Sequence, residues 1–184
     1  MGRAKGTNLH HMTTFVEGRF GRGAWARVVE SLDDATAADV RLVVPVRWYD
    51  LGIQHRVLRA IDETLGEGDG ALVDPIGRYE ADQDLTVVHR MFMRLASPSY
   101  ILEKSAEYWD RFYDTGTWDV ERLGEGQARA TLRDVEPFDP LFARYLHAYI
   151  QRMFELTGAR RLVSRYRVEG PGDAPRMVIE GSWV

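Results

Sequence analysis

The residues best able to do chemistry in this chain are five histidines, a row of carboxylates and a set of arginines. His10 and His11 are adjacent, so on a helix they point about 100° apart and do not share one metal ion. His55, His89 and His147 stand singly, and a lone histidine is most often a hydrogen-bonded structural residue. His89 has a second reading, because it lies beside Met91 and Phe92 in an apolar stretch. Glu103, Glu107, Asp110 and Asp114 fall at i, i+4, i+7 and i+11. Paired carboxylates can run acid/base chemistry, but such a row is more often a solvated helix face. The chain has no cysteine, which excludes disulfides and thiolate metal sites. No nucleophile–base pair emerges from the spacing, so the expectation is a protein without a catalytic set, without a bound metal, and not an enzyme.

Two surfaces remain for function. Met12, Phe15, Trp25, His89, Met91, Phe92, Trp109, Tyr145, Tyr149 and Met153 form an aromatic and methionine set. Such side chains adapt well to an apolar ligand cavity, and the alternative is that they fill a solid core. Arg129, Arg133, Arg165 and Arg167 fall on one face of the expected sheet, open to an anion, an acidic partner or a second subunit; the blander reading is a solvated face with local ion pairs.

These residues need elements to position them. The strongest is a helix over 137–157. Asp139 can accept a hydrogen bond from its first N–H groups, and Pro140 sits where a missing N–H costs nothing. Leu141, Phe142, Tyr145, Leu146, Tyr149, Met153 and Leu156 recur at three- and four-residue spacing, and Gly158 suits the residue that closes the helix. On either side the chain alternates. Trp118, Val120, then Ala128, Ala130 and Leu132 read as two strands joined at Gly124-Glu125-Gly126. Leu162, Ser164, Tyr166, Val168 and then Met177, Ile179, Gly181, Trp183 read as a second hairpin across Gly170-Pro171-Gly172-Asp173. The pattern over 116–184 is ββαββ, with one antiparallel sheet carrying the helix on its apolar face.

The part before it, 1–115, is mainly helical. Residues 1–5 read as a loose start, 6–20 and 24–32 as helices, 37–40 as a short helix, and 42–46 as an extended linker because Pro45 denies it a central ladder position. Asp50 can cap a helix through 65. Gly66-Glu67-Gly68-Asp69-Gly70 lacks the lysine and Ser/Thr of a phosphate-binding loop and reads as a flexible loop. Residues 71–81 read as helical with a break near Pro75, and 85–95 and 100–113 as further helices.

At 184 residues, 45% hydrophobic and 28% charged, the expectation is one α+β globular domain. A net charge of −4 disfavours nucleic acid as the partner. No apolar run spans a bilayer and no signal-peptide pattern is seen, so the expected location is cytoplasmic.

Lys5-Gly6-Thr7 leading into an apolar helix, then Phe20-Gly21 and Ala24-Trp25, resembles the start of haem-nitric-oxide/oxygen-binding (H-NOX) domains. The helix ending in Tyr108-Trp109, two strands, a long helix, Gly158-Ala159 and two last strands resemble the same superfamily, which also holds 4-vinyl-reductase ligand domains and small TRAPP subunits. A family of similar length abundant in myxobacteria, ending on a strand with a tryptophan as at Trp183, looks most similar. The resemblance implies a non-catalytic sensory module with a small apolar ligand and a tendency to pair as a homodimer, helped by Phe15, Phe20 and Trp25. Its alternative is a protein-interaction scaffold like the TRAPP subunits, with a filled core.

The chain departs from H-NOX domains where they hold haem. The helix that should bear an iron-ligating histidine reads Glu103-Lys104-Ser105-Ala106-Glu107-Tyr108-Trp109-Asp110. The Tyr-x-Ser-x-Arg propionate clamp is missing; Ser164-Arg165-Tyr166-Arg167 has similar types in another order. Tyr108 is near the ligand position, but Glu103, Glu107 and Asp110 around it work against an anionic ligand. The expectation from the sequence is no haem and no other cofactor.

Overall fold

The computed structural model describes residues 1–84, 97–172 and 174–184. Within them the chain forms β1 (Arg3–Lys5), α1 (Gly6–Phe20), α2 (Ala24–Glu30), α3 (Asp34–Arg41), β2 (Trp48–Asp50), α4 (Leu51–Leu65), α5 (Val73–Asp84), α6 (Pro98–Phe112), β3 (Thr117–Gly124), β4 (Gln127–Arg133), α7 (Pro140–Leu156), β5 (Val163–Glu169) and β6 (Arg176–Ser182). The helix expected over 85–95, with His89, Met91 and Phe92, lies outside the described residues.

The last four strands form one antiparallel sheet in the order β3-β4-β6-β5. Its register pairs Ala130 with Ile179 and Tyr166 with Ile179, so the small and apolar residues share one face. Ala128, Ala130 and Leu132 of β4 and Met177 and Ile179 of β6 are buried there. The caps of α7 and α4 are those the sequence indicates: Asp139 accepts from Leu141 N at 2.7 Å, and Asp50 from Gly52 N at 2.7 Å.

The helix α7 is held between two layers. One side faces the sheet and the other packs on α5, whose Gly77 comes up against the α7 backbone. A Cβ at Gly77 would overlap the Tyr145 carbonyl oxygen and lie 3.1 Å from Tyr149 N. Only a residue without a side chain lets the two helices approach that closely. Beyond α5, a single cluster of buried side chains runs from Leu9 and Met12 of α1 through Leu58 and Ile61 of α4 to Phe142 and Tyr145 of α7 and Met177 of β6.

Four local readings need correction. Residues 1–5 are not loose: β1 pairs with β2, Gly2 N donates to Glu136 O at 2.6 Å, and Ala4 is buried. Strand β2 escaped notice because three residues are too few to show alternation. The helix α5 does not break at Pro75, which sits in its first turn where no helical N–H is required. The loop over 66–70 is built around Asp62, whose buried carboxylate accepts from Gly70 N at 2.6 Å and Leu72 N at 3.1 Å. Phe15 is buried and Trp25 half-buried, so of the three aromatics thought free for a partner only Phe20, at 37% exposure, is open.

Candidate functional site

The apolar faces of α6, α7 and the sheet do not close fully on one another. They leave a cavity of about 120 Å³, the volume of about four water molecules. From α6 come Ile101, Leu102, Ser105, Tyr108, Trp109 and Phe112; from α7, Tyr145, Leu146, Tyr149 and Met153; from the sheet, Trp118, Ala128, Ala130, Ser164 and Ile179. Small residues at 128, 130 and 164 leave the space, and large aromatics line it. Trp109 and Trp118 stack with ring centroids 5.9 Å apart and 14° between planes, and Tyr113 stacks on the other side of Trp109 at 4.3 Å. Trp118 is fixed by its indole N–H, which donates to Ser105 Oγ at 2.8 Å, and Trp109 by donation to Thr115 O at 2.8 Å.

One end of this apolar space is polar. Glu80 and Asp84 enter it from α5, and Asn8 from α1. All three lie on apolar stripes: Val73, Ile76, Gly77, Glu80, Ala81 and Asp84 follow helical spacing, as do Asn8, Met12 and Phe15. Burial pushes the Glu80 carboxyl well above the ordinary carboxylate range, and the charge of Asp84 adds to it. Burial likewise pushes Asp84 up to about 6, against the opposing effect of the Tyr149 hydroxyl, which donates to Asp84 Oδ2 at 2.8 Å. The Tyr113, Tyr145 and Tyr149 hydroxyls are pushed up by burial and then by these acids. His11 stands 3.6 Å from Asp84, but burial holds its pKa down to about 4, so it faces the acid as a neutral ring. Asn8 Nδ2 donates to Tyr113 Oη at 2.9 Å and Gln54 Oε1 at 3.4 Å. Asn8 Oδ1 and Glu80 Oε2 find no hydrogen-bond partner among the described residues.

Of the ligand-binding set expected from the sequence, Trp109, Tyr145, Tyr149 and Met153 line the cavity. Met12 and Phe15 are buried in the packed core, and Trp25 packs against it. His89, Met91 and Phe92 lie outside the described residues. Glu80, Asp84 and Asn8 went unnoticed, although a polar residue on an apolar stripe was the available signal.

The other candidates disperse. Among the described residues no three His, Cys, Asp or Glu side chains gather as a metal site. His55 is buried against Phe142, with ring centroids 5.0 Å apart, and His147 shares a 2.7 Å hydrogen bond with Ser164. Glu103, Glu107 and Asp114 pair with Arg122, Lys104 and Arg3. On the outer sheet face Arg129 pairs with Glu121 and Glu180, Arg133 with Asp119, Arg165 with Glu180, and Arg167 with Glu169 and Glu180. The face is therefore a lattice of paired charges. Among the described residues no helix is long and apolar enough to cross a membrane.

No family model and no curated protein matches this chain. Solved structures do. One H-NOX structure, from work on haem distortion in that family, aligns over 97% of this chain and 94% of its own with a TM-score of 0.73 at 11% identity. The fold is H-NOX-like. An Fe(II) unliganded H-NOX protein from K. algicida aligns over 97% and 96% with a TM-score of 0.70 at 10% identity. An oxygen-binding H-NOX domain related to soluble guanylate cyclases, in its oxygen complex, aligns over 97% and 94% with a TM-score of 0.69 at 11% identity.

The H-NOX-like neighbours overturn the expectation that the chain takes no cofactor. They include proteins studied for haem redox potential and haem distortion. The Arg111 guanidinium lies 5.2 Å over the Tyr108 ring. The described walls are aromatic, through Trp109, Trp118 and Tyr113, and offer Tyr108 as a side chain of iron-ligating type, but a space of about 120 Å³ is that of one small ring and not of a porphyrin. Among the described residues lining the cavity there is no lysine or arginine to meet a propionate.

Proposed function

We propose that this chain is a sensory module that reports a small, largely apolar molecule held between α6, α7 and the sheet. The supporting observation is the cavity, which has aromatic walls and a polar end that the described residues leave incompletely satisfied. A scaffold working through its surface has no use for such a space, so the ligand reading is favoured over the TRAPP-like one. The H-NOX-like fold supports a sensor rather than an enzyme. The proposed partner is a second copy, a reading that rests on the exposed Phe20 and the fold resemblance.

Haem is the first ligand to test, because the neighbours' fold is shared and Tyr108 lines the cavity. Tyr108 would hold the iron, with Arg111 beside it. When bound, haem supplies an iron that takes a diatomic gas. The chain's own part would be to line one side of the ring with the stacked Trp109 and Trp118 and to present Tyr145 and Tyr149 at the polar end.

The experiment is expression with haem supplied, followed by absorbance spectroscopy and native mass spectrometry. A stoichiometric Soret band that shifts with carbon monoxide and is lost in Tyr108→Phe assigns haem. Retention of another apolar mass, lost on filling the cavity with Ala130→Phe, supports the cavity with a different ligand. A protein that retains neither, and whose melting temperature no added apolar molecule moves, refutes the reading.

A further inference from the structure

At the polar end of the cavity the Tyr149 hydroxyl donates to Asp84, yet two acceptors stay without a donor among the described residues. Asn8 spends its amide N–H groups on Tyr113 and Gln54, which leaves Oδ1 unpartnered. Glu80 Oε2 is unpartnered as well, and the residue is 2% exposed. Asp84 adds a second carboxyl from the next turn of the same helix. Among the described residues lining the cavity there is no lysine, arginine or histidine, and the nearest ring, His11, is neutral. Two buried carboxyls with no cation among the described residues form an electrostatically costly arrangement, and natural interiors rarely keep one without a use.

We propose that the cavity takes a primary amine on a compact apolar body, its ammonium seated among Glu80, Asp84 and Asn8. This rests on the reading of the cavity as the ligand site and names the chemistry of what enters. An ammonium brings three donors, which suit Asn8 Oδ1, Glu80 Oε2 and an Asp84 oxygen. Its charge relieves the repulsion between the two carboxyls. Tyr145 and Tyr149 line the space beside it, and aromatic rings attract a cation. The apolar body then lies against Trp109, Ala130 and Ile179. A neutral molecule of the same shape fills the same space but leaves both acids unrelieved.

The test uses three probes of one shape: benzylamine, benzyl alcohol and toluene. Binding to the full chain is measured by titration calorimetry and by chemical-shift changes of cavity residues. The expected order is benzylamine first, benzyl alcohol second and toluene last, with benzylamine at least about tenfold tighter than toluene. Glu80→Gln, checked for folding by circular dichroism, should cost benzylamine about tenfold and leave toluene unchanged. Asp84→Asn is measured in parallel, so the comparison stands if either variant folds poorly. Toluene binding as tightly as benzylamine, or both variants leaving benzylamine unaffected, overturns the proposal while the cavity reading stands. If none of the three probes enters, the cavity reading falls and this inference with it.

Discussion

Asp84 allows the strain at the polar end to be measured without any ligand. Its folded pKa is about 6, raised from 3.8 chiefly by burial. The folded state therefore binds more protons than the unfolded state between those values, and stability falls as pH rises through that window. The shift corresponds to about 3 kcal/mol, absent below about pH 4 and fully felt above about pH 6. Asp84→Asn removes the ionisation and keeps an oxygen to accept from the Tyr149 hydroxyl. The variant should match wild type near pH 3.5 and exceed it by up to about 3 kcal/mol at pH 7. Glu80 titrates in the same direction, so the wild-type profile is steeper than Asp84 alone would give. Urea unfolding of both proteins at several pH values between 3.5 and 7.5 gives the difference directly. An Asn variant less stable than wild type at pH 7, or a difference that does not change with pH, would refute the assignment of Asp84 as a buried acid held against its preference.

Three other outcomes are expected. Gly77→Ala forces α5 and α7 apart and should cost about 1–3 kcal/mol despite the better helix propensity of alanine, measured by urea unfolding; an increase in stability would show that the helix contact is looser than described. Tyr145→Asp places an unpaired charge in the core and should lower stability by about 4 kcal/mol or more, seen as a large fall in melting temperature. Asp62→Ala strands Gly70 N and Leu72 N and should cost about 3 kcal/mol, with faster amide exchange confined to the 66–72 loop.

The ββαββ unit could be read from the sequence because each of its elements carries its own period. The stripe from Leu141 to Leu156 and the alternation at Ala128-Ala130-Leu132 each indicate a buried face without help from the rest of the chain. Strand β1 has no such period; it exists because β2 and Glu136 come to meet it, which is a tertiary fact. Trp109, Tyr145, Tyr149 and Met153 were recognisable as cavity residues because aromatics and methionine attract that reading. Met12 and Phe15 attract it equally and sit in packed core, since residue type does not say where two layers part. Glu80 was legible and was missed: its place on the α5 stripe, seven residues after Val73, marks it as an inward acid. The no-haem expectation rested on the missing histidine of α6, the missing propionate clamp and the mostly negative charges near Tyr108, and it is the shared fold of solved H-NOX domains, invisible at 10–12% identity, that stands against it.

The contact at Gly77 bears on how occupancy of the cavity is felt elsewhere. Side-chain contacts have slack, because rotamers absorb small displacements before a backbone moves. Here two main chains touch with nothing between them. Tyr145 and Tyr149, which line the cavity, sit on the segment of α7 that meets Gly77, and Glu80 and Asp84 lie on the following turns of α5. The crossing thus acts as a stiff hinge pin. A molecule that pushes α7 pushes α5 by the same amount, and through Phe15 and Tyr79, whose rings meet edge to face at 5.5 Å, it reaches α1. A glycine with no side chain to yield is what joins the wall of the cavity to the far layer of the molecule.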